Sequence, residues 1–435
     1  MSIVIGVLVI VVGIAVSIGL HEVGHMVPAK RFGVRVSQYM IGFGPTLWSR
    51  TKGETEYGVK AFPLGGYVRM VGMMPPAPEG ATAPRRTGFF SQVIADARDQ
   101  SVEEIRPGEE SRAFYNLSTP KKLTVMLGGP VMNLLLAVVF MAGAFAIPVY
   151  QASTTLGTVS ACVPTATGAA CDAATAPSPA ALAGLKAGDR IVSYDGVAVK
   201  SWNDVLTQIS AAGTRTVPVV VERDGRQLTV SVTPVEATRA VLDADGAPVK
   251  DADGAVQTTT GAFLGVSSLA QRASQPMSEL PAVVGEVFTG TASMVATFPY
   301  RIYQAAEATF TDTPRSADSA MSVVGMGRVV VEVVGADAGV PERVSFVLGL
   351  LASLNMALFV FNLIPLLPLD GGHVVNALYE GAKRQVARFR GVHPLPGPAD
   401  VARMMPVAYV MFVVLLGSGV LLMVADVVDP VRIFG

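Results

Sequence analysis

Four long apolar segments limit what this chain of 435 residues can fold into. A helix that crosses a hydrocarbon core about 30 Å thick needs roughly 20 mostly apolar residues. Only 15% of the residues are charged and 51% are hydrophobic, a balance typical of membrane proteins. We therefore predict a multi-pass α-helical membrane protein with four transmembrane helices. The segments are Val4–His25, Leu123–Val149, Val344–Leu367 and Val407–Val424.

The basic residues predict how these segments cross the membrane. They cluster between the first and second segments, and again between the third and fourth. The positive-inside rule places such loops in the cytoplasm, so both termini and the long region between the second and third segments lie outside. We expect a location in the cell membrane. The basic residues concerned are Lys30, Arg31, Arg35, Lys121, Lys122, Lys383, Arg384, Arg388, Arg390 and Arg403.

The first apolar segment ends in an H-E-x-x-H motif made by His21, Glu22 and His25. Side chains four residues apart lie on one face of a helix, so both imidazoles can bind one zinc ion. Glu22 lies beside them and can take a proton from a water molecule held there. The alternative is a histidine pair hydrogen-bonded to a neighbouring helix. Three polar groups in an apolar helix favour a common partner, because such groups are costly in lipid and usually functional.

A catalytic zinc ion usually has three protein ligands, so a third must come from outside the motif. Asp370 follows the third apolar segment in the stretch N-L-I-P-L-L-P-L-D-G-G-H. Pro365 and Pro368 interrupt the helix there, and Gly371-Gly372 permit a sharp turn that lets the carboxylate face inward. The alternative is that Asp370 only begins a loop. His373 is a weaker candidate, which we interpret as a supporting or structural residue.

Two asparagines stand in apolar segments, Asn133 in the second and Asn362 near the end of the third. An amide near zinc can donate a hydrogen bond to a developing oxyanion or hold the substrate backbone. Hydrogen bonding between helices is an equally weighted alternative for both residues, and it is the preferred interpretation for Asn355.

Residues 36–73 have the alternation, aromatic residues and Gly/Pro punctuation typical of β-hairpins. Such a β region can dip into the bilayer if protein groups satisfy its backbone, and an edge strand can hold an extended substrate. Gly42, Phe43 and Gly44 are the candidate substrate-binding residues in this region. A cytoplasmic sheet without a substrate role is the alternative. Residues 75–120 lack periodicity and are predicted to form a flexible cytoplasmic loop.

The outside region starts with a compact domain. Within it, the stretch P-S-P-A-A-L-A-G-L-K-A-G-D-R-I-V-S-Y-D-G-V-A-V-K-S-W-N-D-V-L at 177–206 resembles a bacterial PDZ domain. PDZ domains bind peptide termini by strand addition; the alternative role is a spacer or size filter.

Cys162 and Cys171, the only cysteines, either form a disulfide or remain free. The predicted elements are a helix at 180–185, strands at 190–194, 217–222, 227–233 and near 262–266, turns at 195–196 and 224–225, a helix capped by Ser201, and a polar insert at 237–260.

The region 277–334 has helical periodicity with a modest polar face and no flanking basic clusters. We predict amphipathic helices that lie on the outer membrane surface rather than additional spans, with one re-entrant segment as the alternative.

Taken together, these motifs resemble the site-2 proteases, which are zinc intramembrane metalloproteases. The similarity is to the PDZ-containing bacterial branch that includes the regulator of sigma-E protease and its actinobacterial relatives. H-E-V-G-H at 21–25 and L-D-G at 369–371 match the two zinc motifs of that family. G-F-G-P at 42–45 and G-G-Y-V at 65–68 match its β region, and G-P-V-M-N at 129–133 matches its second span.

The resemblance implies regulated proteolysis. Members of this family cut the membrane-spanning helix of a single-pass protein, such as an anti-sigma factor, after another protease has removed its outer domain. By resemblance, His21, His25 and Asp370 bind Zn²⁺ and Glu22 is catalytic. A membrane PDZ adaptor or zinc-binding scaffold without hydrolytic activity is the competing hypothesis. The net charge of −1 and the lack of a basic domain argue against a nucleic-acid partner.

These observations predict eight consecutive regions. They are a first transmembrane helix with the motif (1–28), a cytoplasmic or re-entrant β region with a loop (29–119), a second transmembrane helix (120–150), an extracytoplasmic PDZ-like domain (151–268), an amphipathic region (269–343), a third transmembrane helix (344–368), a cytoplasmic loop (369–404) and a fourth transmembrane helix (405–428).

Overall fold

The computed structural model describes residues 2–76, 89–163, 171, 175–240, 256–311, 322, 325 and 339–428. The helices, in chain order, are α1 (Ser2–Arg31), α2 (Phe89–Glu103), α3 (Thr119–Ala146), α4 (Pro179–Leu182), α5 (Trp202–Ala212), α6 (Leu280–Ala296), α7 (Phe298–Phe310), α8 (Val340–Asn362), α9 (Asp370–Phe389) and α10 (Met405–Val428). The strands are β1 (Val36–Lys52), β2 (Thr55–Met70), β3 (Val149–Val159), β4 (Arg190–Tyr194), β5 (Val197–Ala198), β6 (Val217–Arg223), β7 (Arg226–Val232), β8 (Val235–Ala240), β9 (Thr258–Phe263) and β10 (Val266–Ala273).

The chain divides into two compact units. The first combines Met1–Ala146 with Pro276–Val431, and the second contains Ile147–Gln275. Four helices of the described part are long and apolar enough to span a membrane, which confirms that part of the sequence prediction. These candidate spans are Val11–Arg31, Thr119–Ala146, Val340–Asn362 and Val401–Val428.

The helices α6 and α7 follow each other across a bend of 65°. As one bent element they are also long and apolar enough to count as a fifth span. The sequence prediction of surface-lying helices in this region therefore stays a prediction. Residues 312–321, 323–324 and 326–334 of that region lie outside the described residues.

The strands β1 and β2 form an antiparallel pair in which each strand bends near its middle. Residues 36–41 pair with 66–70 on one side, and residues 38–41 pair with 56–59 on the other. Gly42 and Gly44, at φ +93° and +84°, lie where β1 bends, and this left-handed backbone favours glycine. The predicted hairpin is therefore present, and 66–70 forms one outer edge of the small sheet.

Two regions predicted as loops contain helices. Within 75–120, the helix α2 is present; Ser101 donates a hydrogen bond to the Met74 carbonyl, and Arg98 forms an ion pair with Asp400, 302 residues away. Within 369–404, Asp370 begins the 20-residue helix α9. Both helices are stabilised by distant partners, which local sequence patterns do not report. Residues 77–88 lie outside the described part.

The third span begins and ends earlier in the sequence than predicted. Its helix α8 ends at Asn362 instead of continuing to residues 367–368. The chain before Asp370 then runs through turns, because Pro365 and Pro368 lack the N–H groups that would continue a helix.

The second unit is built on a sheet with the order β10-β3-β4-β6-β7, with β5 paired to β4. Its core is formed by buried side chains that include Ile191, Tyr194 and Val219. Ser201 and Asp204 form the predicted N-terminal cap of α5. The strand expected near 262–266 is instead two strands, β9 and β10, because Gly265 at φ +89° turns the chain between them. Cys162 and Cys171 form a disulfide.

The predicted insert at 237–260 begins and ends in paired strands. The strands β8 and β9 form a separate two-stranded sheet with six residue pairs, from Val235–Phe263 to Ala240–Thr258. Residues 241–255 lie outside the described part of the chain.

Candidate metal centre

The two histidines of the motif and Asp370 converge at one point. His21 and His25 lie one turn apart on α1, and their Nε2 atoms are 3.2 Å apart. The Oδ2 atom of Asp370 lies 3.4 Å from Nε2 of His21 and 3.3 Å from Nε2 of His25. These residues form the one group of three metal-ligand side chains among the described residues. The structure thus brings together three side chains that sequence reasoning had singled out.

The distances within this group fit a zinc ion. With zinc–ligand bonds of about 2.0–2.1 Å, the corners of a tetrahedron lie about 3.3–3.4 Å apart. The three separations in the structure, 3.2, 3.3 and 3.4 Å, agree with the edges of one face. Oδ2 of Asp370 is buried and makes no hydrogen bond of good geometry within the described ranges. Two imidazoles and one carboxylate are also a donor set that zinc prefers, and they leave a fourth position free.

The helix α3 supports both histidines. Nδ1 of His25 lies 2.8 Å from the carbonyl oxygen of Val125, which can accept only from a protonated Nδ1. This contact directs the lone pair of Nε2 toward the metal position. Nδ1 of His21 lies 3.0 Å from the amide of Asn133. The structure therefore brings Asn133 to the metal centre, but against a histidine.

Glycine residues let α1 and α3 approach closely at this point. A Cβ atom on Gly128 would lie 2.0 Å from the carbonyl oxygen of Gly24, and one on Gly24 would lie 2.3 Å from the carbonyl oxygen of Gly128. A Cβ on Gly129 would lie 2.2 Å from Nε2 of His25. These distances exclude any side chain, so the glycines create the space that the metal centre occupies.

The glycines next to Asp370 have a different role from the one predicted. Gly371 and Gly372 are not a turn, because both lie in the first turn of α9. A Cβ on Gly371 would lie 2.3 Å from the carbonyl oxygen of Ile364, and one on Gly372 would lie 2.6 Å from the backbone nitrogen of Leu367. Their missing side chains let α9 fold back against the preceding segment and direct Asp370 toward α1.

Glu22 lies between the metal centre and the β1–β2 sheet. A Cβ on Gly66 would lie 3.2 Å from Cγ of Glu22. The expected catalytic glutamate thus lies beside the two histidines, as the motif predicts, and β2 packs against its side chain.

The other candidates contribute no ligand atom to this group of three. Phe43 is 47% exposed and stacks on Tyr67 in the bend between Gly42 and Gly44. Within the described residues, the amide of Asn362 makes no hydrogen bond. His373 lines a small cavity with Lys122 and Glu380 and contributes no atom to the group of three.

Sequence reasoning did not identify the carbonyl of Val125, which contacts His25. Backbone groups have the same chemistry at every residue, so no residue type marks this one. The pair Gly128-Gly129 did carry a signal, since adjacent glycines in an apolar helix indicate a close helix contact.

Comparison with known proteins agrees with this geometry. The sequence profile described as Peptidase family M50 matches residues 9–393. The chain is 32% identical to the zinc metalloprotease Rip1 of Mycobacterium tuberculosis over the whole of both chains, and 33% identical to Rip1 of Mycolicibacterium smegmatis over 99% of each. It is 27% identical to the metalloprotease MmpA of Caulobacter vibrioides over 86% of each chain. The chain therefore belongs to Peptidase family M50, the site-2 proteases, and is a zinc-dependent intramembrane metalloprotease of the cell membrane.

Proposed function

We propose that His21, His25 and Asp370 hold the zinc ion and that Glu22 is the catalytic base for cleaving the membrane-spanning segment of single-pass proteins. The observation that supports this most directly is the tetrahedral spacing of the three ligand atoms beside Glu22. The position of both histidines in a span supports a substrate that is itself a membrane helix. A water-soluble substrate would not require a buried site of this kind.

Different residues carry out the proton transfer and support the metal ligands. A bound zinc ion supplies Lewis acidity, which polarises a peptide carbonyl and makes water more acidic. The Glu22 carboxylate accepts the proton of the attacking water and returns it to the leaving amine nitrogen. Val125 and Asn133 hold the imidazole rings of His25 and His21 in place during these transfers.

The substrate must unwind before it is cut. A helix hides its carbonyl groups in backbone hydrogen bonds, so the scissile bond has to become extended. We propose that the edge at 66–70 holds this extended stretch by strand addition, since edge strands have unpaired backbone groups. Gly42, Phe43 and Gly44 lie in the bend of the same sheet, where exposed Phe43 can contact the substrate.

The proposed arrangement in the cell follows from the basic loops and the second unit. The metal centre lies toward the cytoplasmic side, and the second unit, as a PDZ-like domain, lies outside. There it binds a peptide terminus or excludes substrates that still carry a large outer domain. A substrate would then be a single-pass protein, such as an anti-sigma factor, that another protease has already shortened.

Co-expression with tagged single-pass proteins of a bacterial membrane tests the proposal. The wild-type chain is expected to cut at least one of them within its span. Glu22→Gln should lower cleavage by about 10²–10⁴-fold while zinc is retained, and Asp370→Ala should lose zinc, measured by mass spectrometry of the purified chain. Glu103→Gln, on the exposed end of α2, is the matched control and should cleave like wild type. Normal cleavage by both Glu22→Gln and Asp370→Ala, or cleavage of no single-pass protein by the wild type, would contradict the proposal.

A further inference from the structure

The β1–β2 sheet meets α1 within one helical turn of Glu22. The hydroxyl of Tyr39 donates a hydrogen bond of 2.8 Å to the carbonyl oxygen of Gly19. A Cβ on Gly19 would lie 3.1 Å from the Tyr39 hydroxyl and 3.1 Å from Cδ1 of Ile41. Since Gly19 precedes Glu22 by three residues, β1 holds the turn of α1 that carries Glu22.

The strand β2 reaches the Glu22 side chain itself. A Cβ on Gly66 would lie 3.2 Å from Cγ of Glu22, 3.0 Å from Cγ2 of Ile18 and 3.0 Å from the carbonyl oxygen of Met40. Gly66 is therefore packed tightly on both sides, against α1 and against β1.

These contacts are made by one ladder of paired residues, the antiparallel strands β1 and β2. Tyr39 pairs with Val68, and Ile41 pairs with Gly66, in the antiparallel register of β1 and β2. A movement of this ladder would therefore move the backbone at Gly19 and the carboxylate of Glu22 together.

The metal ligands do not share this support. His21 and His25 are held from α3, and Asp370 comes from the start of α9. The β1–β2 sheet contacts Glu22, whereas α3 and α9 position the metal ligands. A change in the sheet can disturb the carboxylate without removing a metal ligand.

From these contacts we infer that Tyr39 and Gly66 are positioning residues for Glu22. Gly66 packs against the Glu22 side chain and limits where the carboxylate can lie, and Tyr39 fixes the distance between sheet and helix. This inference rests on the proposed role of Glu22 as the catalytic base. A carboxylate misplaced by about 1 Å can cost on the order of 10²-fold in rate, so a fixed geometry matters for the proton transfer.

The test uses the full chain in proteoliposomes with one tagged single-pass protein that the wild type cleaves. Gly66→Ala is expected to lower kcat by about 10-fold or more, since the added methyl group displaces the Glu22 side chain. Tyr39→Phe removes one hydroxyl without adding bulk and should lower kcat by about 2- to 10-fold. In Tyr39→Phe, KM should stay within about 2-fold of wild type, because Tyr39 lies outside the edge at 66–70 that is proposed to hold the substrate. Zinc content should remain one per chain.

Gly261→Ala in β9 is the matched control, since a Cβ there meets no atom within 4 Å. It should have wild-type kcat and KM. If Gly66→Ala does not fold, Tyr39→Phe alone decides the question.

Three results would overturn the inference. A raised KM with unchanged kcat would mean that the sheet acts on the substrate only. Loss of zinc would mean that the sheet supports the metal ligands, and wild-type kcat in Tyr39→Phe and Gly66→Ala would mean that it positions nothing. Glu22→Gln is measured in parallel. If it keeps full activity, the proposed function of Glu22 is wrong; if it is inactive while both sheet variants are normal, only the positioning inference is wrong.

Discussion

The side-chain amide nitrogen of Asn133, Nδ2, lies 3.0 Å from Nδ1 of His21, although 112 residues separate them in the sequence. Because Nε2 of His21 faces the metal position, Nδ1 must carry the proton and donate it. Only Oδ1 of the amide can accept this hydrogen bond. Oδ1 of Asn133 is buried and otherwise has no partner among the described residues, so an amide with Oδ1 turned toward His21 satisfies both groups.

We expect Asn133→Ala to weaken zinc binding by about 10- to 100-fold, because the residues that orient metal-binding imidazoles contribute that much to affinity. Competition with a chromophoric chelator measures the change. Asn133→Asp keeps an acceptor and should stay closer to wild type. Asn355→Ala is the matched control, since that equally buried amide binds Ser17 and the carbonyl of Leu351 rather than a histidine. Unchanged zinc affinity in Asn133→Ala would show that the amide does not orient His21.

The contact between α1 and α3 gives a second prediction. Gly128→Ala should separate the two helices, because its Cβ would overlap the carbonyl oxygen of Gly24, which cannot move independently of α1. Overpacking of this kind costs about 1–3 kcal/mol, and more where only backbone can shift. The midpoint temperature of thermal unfolding and the zinc content should both fall. Gly143→Ala, on the same helix, places its Cβ at an ordinary 3.4 Å from Leu348 and should behave like wild type. Equal stability of the two variants would be evidence against a tight contact at Gly128.

The sequence alone was enough to predict the three candidate metal ligands. Helical periodicity places His21 and His25 on one face, and the need for a third ligand directs attention to Asp370. The strands of the second unit were also predictable, because turns such as Asp195-Gly196 and Asp224-Gly225 are local signals; Asp195 and Asp224 have positive φ as such turns require.

What could not be predicted depends on contacts between distant residues. The helix α2 is stabilised by distant partners such as Asp400, and the imidazole of His25 is hydrogen-bonded to a backbone carbonyl 100 residues away. The role of Asn133 was left open between the substrate and a helix contact, because its partner depends on how α1 and α3 pack. That packing is set by glycines, whose contribution is the absence of a side chain.

A buried ion pair between α3 and α9 gives a third prediction. Nζ of Lys122 lies 2.7 Å from Oε2 of Glu380, and the two side chains are 6% and 3% exposed. Glu380→Leu should lower the free energy of unfolding by about 3–5 kcal/mol, because it leaves the Lys122 ammonium buried without its carboxylate. Lys122→Met should cost less, since Arg384 still pairs with Glu380 at 2.8 Å. The double variant should recover part of the loss.

A double-mutant cycle on thermal unfolding measures this coupling. The control is Arg112→Met, which breaks a more exposed ion pair with Glu54 and should cost at most about 1 kcal/mol. If the effects of Lys122→Met and Glu380→Leu simply add, the two charges are not coupled.

The last prediction concerns acid and the second unit. The Asp189 carboxylate is 1% exposed and accepts hydrogen bonds of 2.6 and 2.7 Å from Arg223, which hold the pKa of Asp189 below its usual range. Since the pKa is lower in the folded state than in the unfolded state, Asp189 stabilises the unit fully above about pH 4. This contribution is lost as the pH falls through the folded-state pKa. The variant Trp48→Phe leaves Trp202 as the one tryptophan, so its fluorescence follows the urea unfolding of the second unit. The free energy of unfolding should therefore fall below pH 4. Adding Asp189→Asn should make this fall smaller. Asp195→Asn removes a more exposed partner of Arg215 and should keep the wild-type acid dependence. The same acid dependence with and without Asp189 would assign the loss to other carboxylates.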